Sequence, residues 1–238
     1  FVFSIGNAGA QATSDSIVMN YLKEMGAPVT YNNEVKLLMT GHDKFVDLFE
    51  NIRHARHHIH LEYFNFRNDS IANALFSLLA EKVKEGVKVR AMFDAFGNWS
   101  NNQPLKERHL KSIRAQGIEI VKFDPITFPW VNHAIHRDHR KIVVIDGKIG
   151  YTGGMNIADY YINGLPKIGK WHDMHIHLEG DAVRYLQGIF LTMWNRETGQ
   201  HVGGPAYFPD TQQLPDSIAE EIAIVDRTPR ETPRSISH

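Results

Sequence analysis

The stretch that decides the fold is His139-Arg140-Lys141-Ile142-Val143-Val144-Ile145-Asp146, an apolar run bracketed by charged side chains. Alternate residues of a strand share a face, so His139 and Lys141 point the same way, whereas Asp146 has the opposite parity. Because residues 142–145 are apolar on both faces, the pattern predicts a central strand buried on both sides. The rigid strand would then present the His139 imidazole and the Lys141 ammonium group to the same anion.

A glycine-rich turn follows this strand at Gly153-Gly154-Met155-Asn156. Glycine lets backbone N–H groups approach a phosphate closely, so Gly153 and Gly154 are candidate phosphate-binding residues. Asn156 can cap a short helix that starts at this turn, and it can also donate its side-chain amide to a phosphate oxygen. A purely capping role for Asn156 is the alternative.

These two elements, in this order and spacing, resemble the His-x-Lys-x-x-x-x-Asp and Gly-Gly-x-Asn elements of the phospholipase D superfamily. Further segments narrow the resemblance to the amino-terminal catalytic half of bacterial cardiolipin synthases, from about Val35 to Trp194. These segments are Leu61-Glu62-Tyr63-Phe64, His136-Arg137-Asp138-His139-Arg140-Lys141, Trp171-His172-Asp173 and Leu178-Glu179-Gly180. A bare His-x-Lys pair is weak evidence, whereas this nested set is specific.

The resemblance implies how the site would work. His139 would attack a phosphodiester and form a phosphohistidine, and the histidine of a second motif would protonate the departing alcohol and later activate the acceptor. Either histidine could take either role. Lys141 would neutralise the charge that develops on the non-bridging oxygens, as metal ions do in other phosphoryl-transfer enzymes. We therefore expect no metal and no other cofactor.

Two carboxylates accompany the motif. The family places the segment containing Asp173 beside the nucleophile, where a carboxylate would orient the imidazole and favour its charged form; a plain surface carboxylate is the alternative. Asp146 belongs to the signature, and we include it among the candidate catalytic residues on that ground. Its opposite strand parity nevertheless favours a structural ion pair or turn contact over contact with substrate.

Four further residues are candidates for lining the mouth of the site: Glu62, Tyr63, Trp130 and His136. Glu62 and Tyr63 end an alternating polar face, and solvated strand polarity explains them nearly as well. Trp130 lies in Phe128-Pro129-Trp130-Val131, which with His136 could form an entry loop at a lipid interface. Plain loop packing of these aromatic side chains is an equal alternative.

Composition excludes several classes of protein. The 238 residues include no cysteine, which excludes a disulfide framework, a thiolate metal site and a cysteine nucleophile. The formal net charge of -1 gives no polyanion-binding signature, and nucleic acid is not an expected partner. The longest apolar runs fall far short of the roughly 20 residues that span a bilayer. We expect this chain to be soluble and the full-length enzyme to be associated with a bacterial inner membrane.

Strand and helix patterns alternate through most of the chain, which predicts an α/β domain with helices on both faces of a sheet. The resemblance specifies a phospholipase D-like α-β-α sandwich with a mixed sheet and one catalytic lobe. We assign residues 1–30 to a flanking segment with one helix, 31–200 to the lobe, and 201–238 to a linker leading to a missing second lobe. The predicted helices span 14–25, 42–55, 70–84, 105–116 and 182–196, and the predicted strands span 35–39, 58–66, 87–93, 118–123, 139–145, 149–152 and 174–178.

We therefore predict an enzyme that transfers a phosphatidyl group between phosphatidylglycerol-type lipids, as in cardiolipin synthesis. Its partners would be a phospholipid substrate, a membrane surface and a second lobe, supplied by the same full-length chain or by a homodimer mate. A single lobe carries one of the two histidines, so the isolated chain would be an incomplete catalytic unit. Two alternatives stay open: a homodimeric phosphodiester nuclease of the same superfamily, and a catalytically idle pairing lobe.

Overall fold

A mixed sheet of seven strands organises the protein and sets the position of the predicted site. The computed structural model describes residues 2–5, 12–125, 137–166 and 169–226. Within these residues the strands are β1 (Val2–Ile5), β2 (Val29–Thr30), β3 (Asn33–Leu38), β4 (His58–Tyr63), β5 (Lys88–Asp94), β6 (Glu119–Phe123), β7 (Lys141–Ile145), β8 (Ile149–Gly153), β9 (His175–Gly180) and β10 (Glu221–Ile224). The helices are α1 (Ala12–Glu24), α2 (Gly41–His54), α3 (Ser70–Lys84), α4 (Ala95–Ser100), α5 (Glu107–Ala115), α6 (Tyr160–Asn163) and α7 (Ala182–Thr198), and a short 3₁₀ helix spans Pro205–Tyr207.

The strand β7 lies in the middle of the large sheet, whose order is β3-β9-β8-β7-β4-β5-β6. It runs antiparallel to its neighbours β8 and β4, whereas β4, β5 and β6 are parallel to one another. All five residues of β7 are buried. The central buried strand predicted from the apolar run 142–145 is therefore confirmed.

Helices cover both faces of this sheet. Helices α2 and α3 pack on one face, where Leu48 and Leu79 join Leu61 and Val143 in one buried cluster. Helix α7 packs on the other face, where its apolar side chains surround Val144. Burial of apolar surface in these two layers is the main favourable term in folding. The predicted α-β-α sandwich with a mixed sheet is thereby confirmed.

Helix α3 occupies the range that its sequence predicts. The side chain of Asp69 caps its start by accepting a hydrogen bond from the backbone N–H of Ala72 at 3.3 Å. The short helices α4 and α6 are absent from the prediction, because six and four residues are too few to show an amphipathic period. Across the described residues, no helix has the length and apolar character needed to cross a membrane.

The segment that the sequence assigns to a linker folds back onto the lobe over its described part, residues 201–226. Strand β10 is the central strand of a second sheet and pairs antiparallel with β1 and with β2. Tyr207 stacks on the buried His60 with ring centroids 5.6 Å apart, and its hydroxyl accepts a hydrogen bond from Arg90 at 3.2 Å. Composition alone does not reveal these contacts, since proline and polar residues dominate the segment. Its continuation into a second lobe stays a prediction.

Asp146 closes the far end of β7 and is not part of the site. Its carboxylate accepts hydrogen bonds from the backbone N–H groups of Arg56 and His57 at 2.8 Å and of His58 at 2.9 Å. Its own backbone adopts a positive φ of 54°. The length of β7 separates it from Lys141 at the other end of the strand. Its inclusion among the catalytic residues is therefore corrected to a structural role, as its strand parity favoured.

Replacing Asp146 by alanine is expected to lower the free energy of unfolding by about 2–3 kcal/mol, because three backbone donors lose their acceptor and alanine disfavours the positive φ. Asp146→Asn keeps an acceptor and tolerates that φ, so its loss is expected to be less than half as large. Urea unfolding of both variants measures the difference. Turnover per folded molecule should stay near that of the wild type; a large loss of turnover in a normally stable Asp146→Asn enzyme would restore a catalytic role.

Candidate active site

The polar residues of the motif lie together at one end of the central strands of the large sheet; we call this end the site edge. Lys141 begins β7, Gly153 ends β8 and Tyr63 ends β4, so their positions lie side by side at this edge. His139 stands exposed just before β7, and β9 begins at the same edge with His175. The ends of adjacent strands therefore place these groups on the most rigid part of the fold.

His139 and Lys141 meet as predicted, although β7 begins at Lys141 and His139 lies just before it rather than in the strand. The Lys141 ammonium group donates a hydrogen bond to the His139 carbonyl oxygen at 2.6 Å, and its Nζ atom lies 3.0 Å from the imidazole Nδ1. The imidazole rests on Phe64 with ring centroids 4.8 Å apart. Lys141 is only 3% exposed, while His139 is open to solvent. A base that can reach a ligand and a cation fixed behind it are the two groups that attack on a phosphate requires.

The surroundings favour a neutral imidazole beside a charged ammonium group. Partial burial lowers the pKa of His139, and the Lys141 charge lowers this pKa further, whereas Asp138 and Asp94 raise it. Burial also lowers the pKa of Lys141, to about 8, against the attraction of Asp138 and Asp173. At neutral pH most Lys141 side chains therefore keep their proton, while His139 is held in the neutral form that a nucleophile needs.

Asp94, at the end of β5, holds the approach to β7 in place. Its carboxylate accepts hydrogen bonds from the backbone N–H groups of Asp138 and Gly97, both at 2.8 Å, and lies 3.3 Å from the Arg137 guanidinium. The first bond fixes the chain one residue before His139, and the second caps α4. The sequence analysis missed this residue, because an aspartate at a strand end is common and carries no motif of its own.

The two glycines make room for side chains from the neighbouring strand. A Cβ atom on Gly154 would lie 2.0 Å from the Asp173 carboxylate, and one on Gly153 would lie 2.6 Å from Nδ1 of His175. The backbone N–H of Gly154 donates to the Met174 carbonyl at 3.0 Å, so this donor is committed to the fold. The predicted presentation of N–H groups to a phosphate is therefore wrong for Gly154, which instead admits Asp173 to the site.

Gly154→Ala is expected to push Asp173 away from Lys141 and to lower the free energy of unfolding by about 1–3 kcal/mol, the usual cost of overpacking. Since Asp173 raises the pKa of Lys141, its displacement should also move the alkaline loss of activity to lower pH. The matched control is Gly188→Ala in α7, where a Cβ atom meets nothing within 4 Å and helix propensity predicts a gain of up to about 1 kcal/mol. Thermal unfolding and pH–activity profiles measure the two effects. Equal stability changes in both variants would contradict the steric role of Gly154.

Asn156 is buried beside the same turn. Its backbone carbonyl accepts a hydrogen bond from Nζ of Lys44 at 3.0 Å, and its Oδ1 atom accepts one from the backbone N–H of Asn65 at 3.4 Å. Helix α6 begins only at Tyr160, with Asp159 in the N-cap position. The capping role proposed for Asn156 is therefore wrong, and contact between its amide group and a phosphate stays a prediction.

Asp173 lies beside Lys141 rather than on the imidazole. Its charge raises the pKa of Lys141 and of the buried Lys44, and its Oδ1 atom accepts a hydrogen bond from the backbone N–H of Met174 at 2.8 Å. Among the described residues, no hydrogen bond joins Asp173 to His139. The expected orientation of the imidazole by this carboxylate is therefore not found, and its position suits control of the lysine charge instead.

Glu62 and Tyr63 point to opposite faces of β4, and neither is an exposed lining residue. Glu62 is fully buried 3.4 Å from the Arg140 guanidinium, on the face that α7 covers, and burial together with Asp138 raises its pKa. Tyr63 is fully buried beneath the mouth, and no group in the described part of the chain accepts from or donates to its hydroxyl. The structure thus removes Glu62 from the site and keeps Tyr63 only as part of its floor.

Two fully buried bases at this edge, Lys44 and His175, escaped the sequence analysis. Lys44 lies on the buried stripe of α2, and a lysine on an apolar stripe is the signal that could have revealed it. His175 begins an ordinary strand and gives no comparable signal. The predicted lining residues Trp130 and His136 lie outside the described residues.

Comparison with known proteins adds independent evidence. The family described as "Cardiolipin synthase, PLD-like domain" matches residues 48–194. A cardiolipin synthase of Halalkalibacterium halodurans is 41% identical over 181 residues, which make up 76% of this chain and 35% of that protein. The chain thus spans about a third of the length of the curated relatives it matches.

Solved structures share the fold. Phosphatidylserine synthase of Haemophilus influenzae Rd KW20 superposes with a TM-score of 0.52 at 13% identity, over 68% of this chain and 38% of that one. Nuc of Salmonella typhimurium, a phospholipase D family member, superposes with a TM-score of 0.50 at 17% identity, over 68% of this chain and 95% of that one. At such identities the likeness establishes the layered α/β architecture alone.

Proposed function

This chain belongs to the phospholipase D-like cardiolipin synthase family, and from that premise we propose that it is a catalytic lobe that transfers a phosphatidyl group between phosphatidylglycerol-type lipids. The observation that carries the proposal is the pair formed by the exposed, neutral His139 and the buried Lys141 cation, 3.0 Å apart. The pair offers a nucleophile and a charge for the phosphate at one point.

The proposed first step is attack by the His139 imidazole on the phosphorus of one lipid. A nitrogen–phosphorus bond forms, the phosphorus–oxygen bond to the headgroup glycerol breaks, and the glycerol leaves with a proton from an acid. In the second step the terminal hydroxyl of another phosphatidylglycerol gives its proton to the conjugate base of that acid and attacks phosphorus, and the nitrogen–phosphorus bond breaks. Two phosphatidylglycerol molecules thus give one cardiolipin and one glycerol, and His139 is restored.

Lys141 is expected to change partner during this reaction. In the structure its Nζ atom lies against Nδ1 of His139, and a protonated lysine there occupies a ring lone pair. An incoming phosphate offers stronger, negatively charged acceptors, so the ammonium group moves to the non-bridging oxygens and leaves the imidazole unencumbered. Substrate binding would then activate the nucleophile and place the cation in one movement.

A second histidine is the proposed acid, since this lobe contributes one such motif. It would come from a further lobe of a longer protein or from a second copy of the chain. A leaving alkoxide without a proton donor is a poor leaving group, so we propose that the lobe turns over slowly by itself.

Exposed apolar side chains beside the site support a lipid substrate. Met39 directly follows β3, whose last residue pairs with His175, and Met174 directly precedes β9, so the two lie together at this edge. Met39 is 55% exposed, Met174 53% and Trp171 41%. Apolar groups next to a phosphate site suit a substrate that carries acyl chains.

The test uses the catalytically complete protein with phosphatidylglycerol in vesicles, its headgroup glycerol labelled, and with DNA in parallel. We expect release of labelled glycerol, matching formation of cardiolipin, and negligible cleavage of DNA. Efficient DNA cleavage without lipid transfer would favour the homodimeric nuclease, and loss of both activities would favour an idle pairing lobe.

A further inference from the structure

The edge that carries the motif continues as one row of positions across four strands. His175 of β9 pairs with Gly153 of β8, Tyr63 of β4 pairs with Lys141 of β7, and the register between β7 and β8 places Lys141 next to Gly153. Neighbours in such a row point to the same face of the sheet, here the face that α2 covers. The row therefore contains the imidazole of His175, the ammonium group of Lys141 and the phenol of Tyr63. The His175 ring lies over Gly153, which separates it from Lys141.

Lys44 reaches this row from α2. It is fully buried and donates hydrogen bonds to the carbonyl oxygens of Met155 and Asn156 at 2.9 and 3.0 Å. Its Nζ atom also lies over the rings of Phe45 and Tyr63, 4.8 and 5.0 Å from their centroids. Among the described residues, no carboxylate lies within ion-pair distance of it. Lys44 thus anchors the turn that carries Asn156 with an amino group that no carboxylate among the described residues contacts.

His175 lies in the same layer without a hydrogen bond. It is fully buried, and neither ring nitrogen has a hydrogen-bond partner in the described part of the chain. Burial, Lys44 and Lys141 together hold its pKa well below the ordinary value, so the ring is neutral and carries one unused N–H donor. An unsatisfied buried donor destabilises the folded state, so its presence suggests that His175 has a function.

The charged and titratable groups around this layer come from every element packed against it. They are Lys141 on β7, His139 just before β7, Asp173 before β9, Tyr63 on β4 and Tyr161 on α6. One carboxylate faces two lysines, so the layer is positive when both lysines are protonated. The unused N–H of His175 and O–H of Tyr63 can both donate, and they lie beside two lysines, so the ligand that the layer suits is an anion.

We propose that Lys44 and His175 form an inner layer of the phosphate site, behind Lys141, that strengthens binding of a phosphate-diester oxyanion. They are positioning residues: Lys44 holds the Asn156 turn, and both add donors and positive charge behind the groups that touch the phosphate. The inference rests on the proposed function, because it extends the phosphate site that function requires.

Anion binding to this layer should draw in a proton. An anion stabilises the charged forms of Lys44 and His175, whose pKa values burial lowers. Lys141 also contributes, but with a pKa of about 8 only about a tenth of it is unprotonated at pH 7, so it can take up no more than about 0.1 proton. His139 is neutral at pH 7 and lies next to the phosphate in the proposed function, so it can also take up a proton. The share of the inner layer is therefore the part of the uptake that is lost when Lys44 is replaced.

The experiment is calorimetric titration of this chain at pH 7 with glycerophosphoglycerol, a soluble diester that has the lipid headgroup and no acyl chains. Repeating it in buffers of different ionisation enthalpy gives the number of protons taken up. Inorganic phosphate is the second arm, compared by affinity only, since it titrates near pH 7. We expect net proton uptake with the diester that exceeds the share of Lys141, and tighter binding of the diester than of inorganic phosphate.

Lys44→Met is expected to weaken diester binding at least about 10-fold and to take up fewer protons than the wild-type chain, the remaining uptake belonging to Lys141, His139 and His175. The matched control is Lys82→Met in α3, which removes another buried lysine, bonded to the Arg53 carbonyl far from the site. It should bind the diester like the wild type. His175→Phe, whose ring fills the same space over Gly153, is the second variant and should also weaken binding.

Three results would overturn the proposal. Unchanged affinity and proton uptake in Lys44→Met would show that the inner layer takes no part, while the outer site at Lys141 would stand. If Lys44→Met does not fold, unchanged binding by a folded His175→Phe chain would lead to the same conclusion. Failure of the wild-type chain to bind either probe would remove the proposed phosphate site itself, and the inner layer with it.

Discussion

His139→Ala should lower phosphatidyl transfer by at least about 10⁴-fold in the catalytically complete enzyme, the largest effect that we expect of any single substitution. The imidazole is the exposed base of the site, and removing it removes the atom that would bond to phosphorus. Little of the fold depends on this side chain, which rests on Phe64 at the surface. The variant should therefore unfold at nearly the wild-type temperature, so that a loss of activity reports chemistry rather than stability.

The control for this variant is His54→Ala at the far end of α2, where the histidine side chain is 72% exposed. It should transfer lipid at the wild-type rate. Reactions stopped during turnover should also yield an acid-labile phosphoryl adduct on His139, found by mass spectrometry under alkaline conditions. Near-normal turnover by His139→Ala would exclude covalent catalysis at this residue, and an adduct found only on a different histidine would reverse the two roles.

The elements that sequence predicts well are those with a strong local signal. Successive residues of the run 142–145 are all apolar, so a strand can bury them only if both of its faces are covered, as both faces of β7 are. Helix α3 has a capping aspartate, a long apolar stripe and a terminal glycine, and its bounds follow from these. Lys141 belongs to the same class, because the parity of β7 settles its face. His139 lies just before β7, so only the structure shows that it meets Lys141.

The groups that the sequence misplaces depend on register between strands. Glu62 sits one residue before Tyr63, so it points to the opposite face of β4, but only the pairing of β4 with β7 shows which face carries Lys141. His175 reaches the site because β9 pairs with β8. A local sequence pattern cannot reveal which strands pair. The resemblance does not show that the charge of Asp173 acts on Lys141, because this depends on where the segment before β9 lies relative to β7 and β8.

A second cluster of histidines, remote from the site, lies under α7. His58 and His60 on β4 are fully buried and share one partner, Gln187, whose amide atoms lie 3.2 Å from Nε2 of His58 and 3.1 Å from Nδ1 of His60. His60 is also sandwiched between the rings of Phe190 and Tyr207. Neither imidazole is exposed to water that could stabilise a positive charge on the ring. Burial lowers the pKa of His58 to about 3, and it holds the pKa of His60 well below 6.5.

This cluster should make the protein sensitive to mild acid. The unfolded chain protonates both histidines below a pKa of 6.5 while the folded chain resists, so stability is full above that pH and is lost as the pH falls toward about 3. At pH 5 the loss is about 2 kcal/mol for each histidine, or about 4 kcal/mol in all, against a typical total of 5–15 kcal/mol. Urea unfolding at pH 7.5 and pH 5 measures it. His175, which burial also keeps neutral, adds acid sensitivity of its own. Between pH 7.5 and pH 5 the double variant His58→Gln, His60→Gln should therefore lose about 4 kcal/mol less stability than the wild type, whereas His54→Ala should match the wild type. An equal fall in stability in the double variant and the wild type would place the acid sensitivity elsewhere.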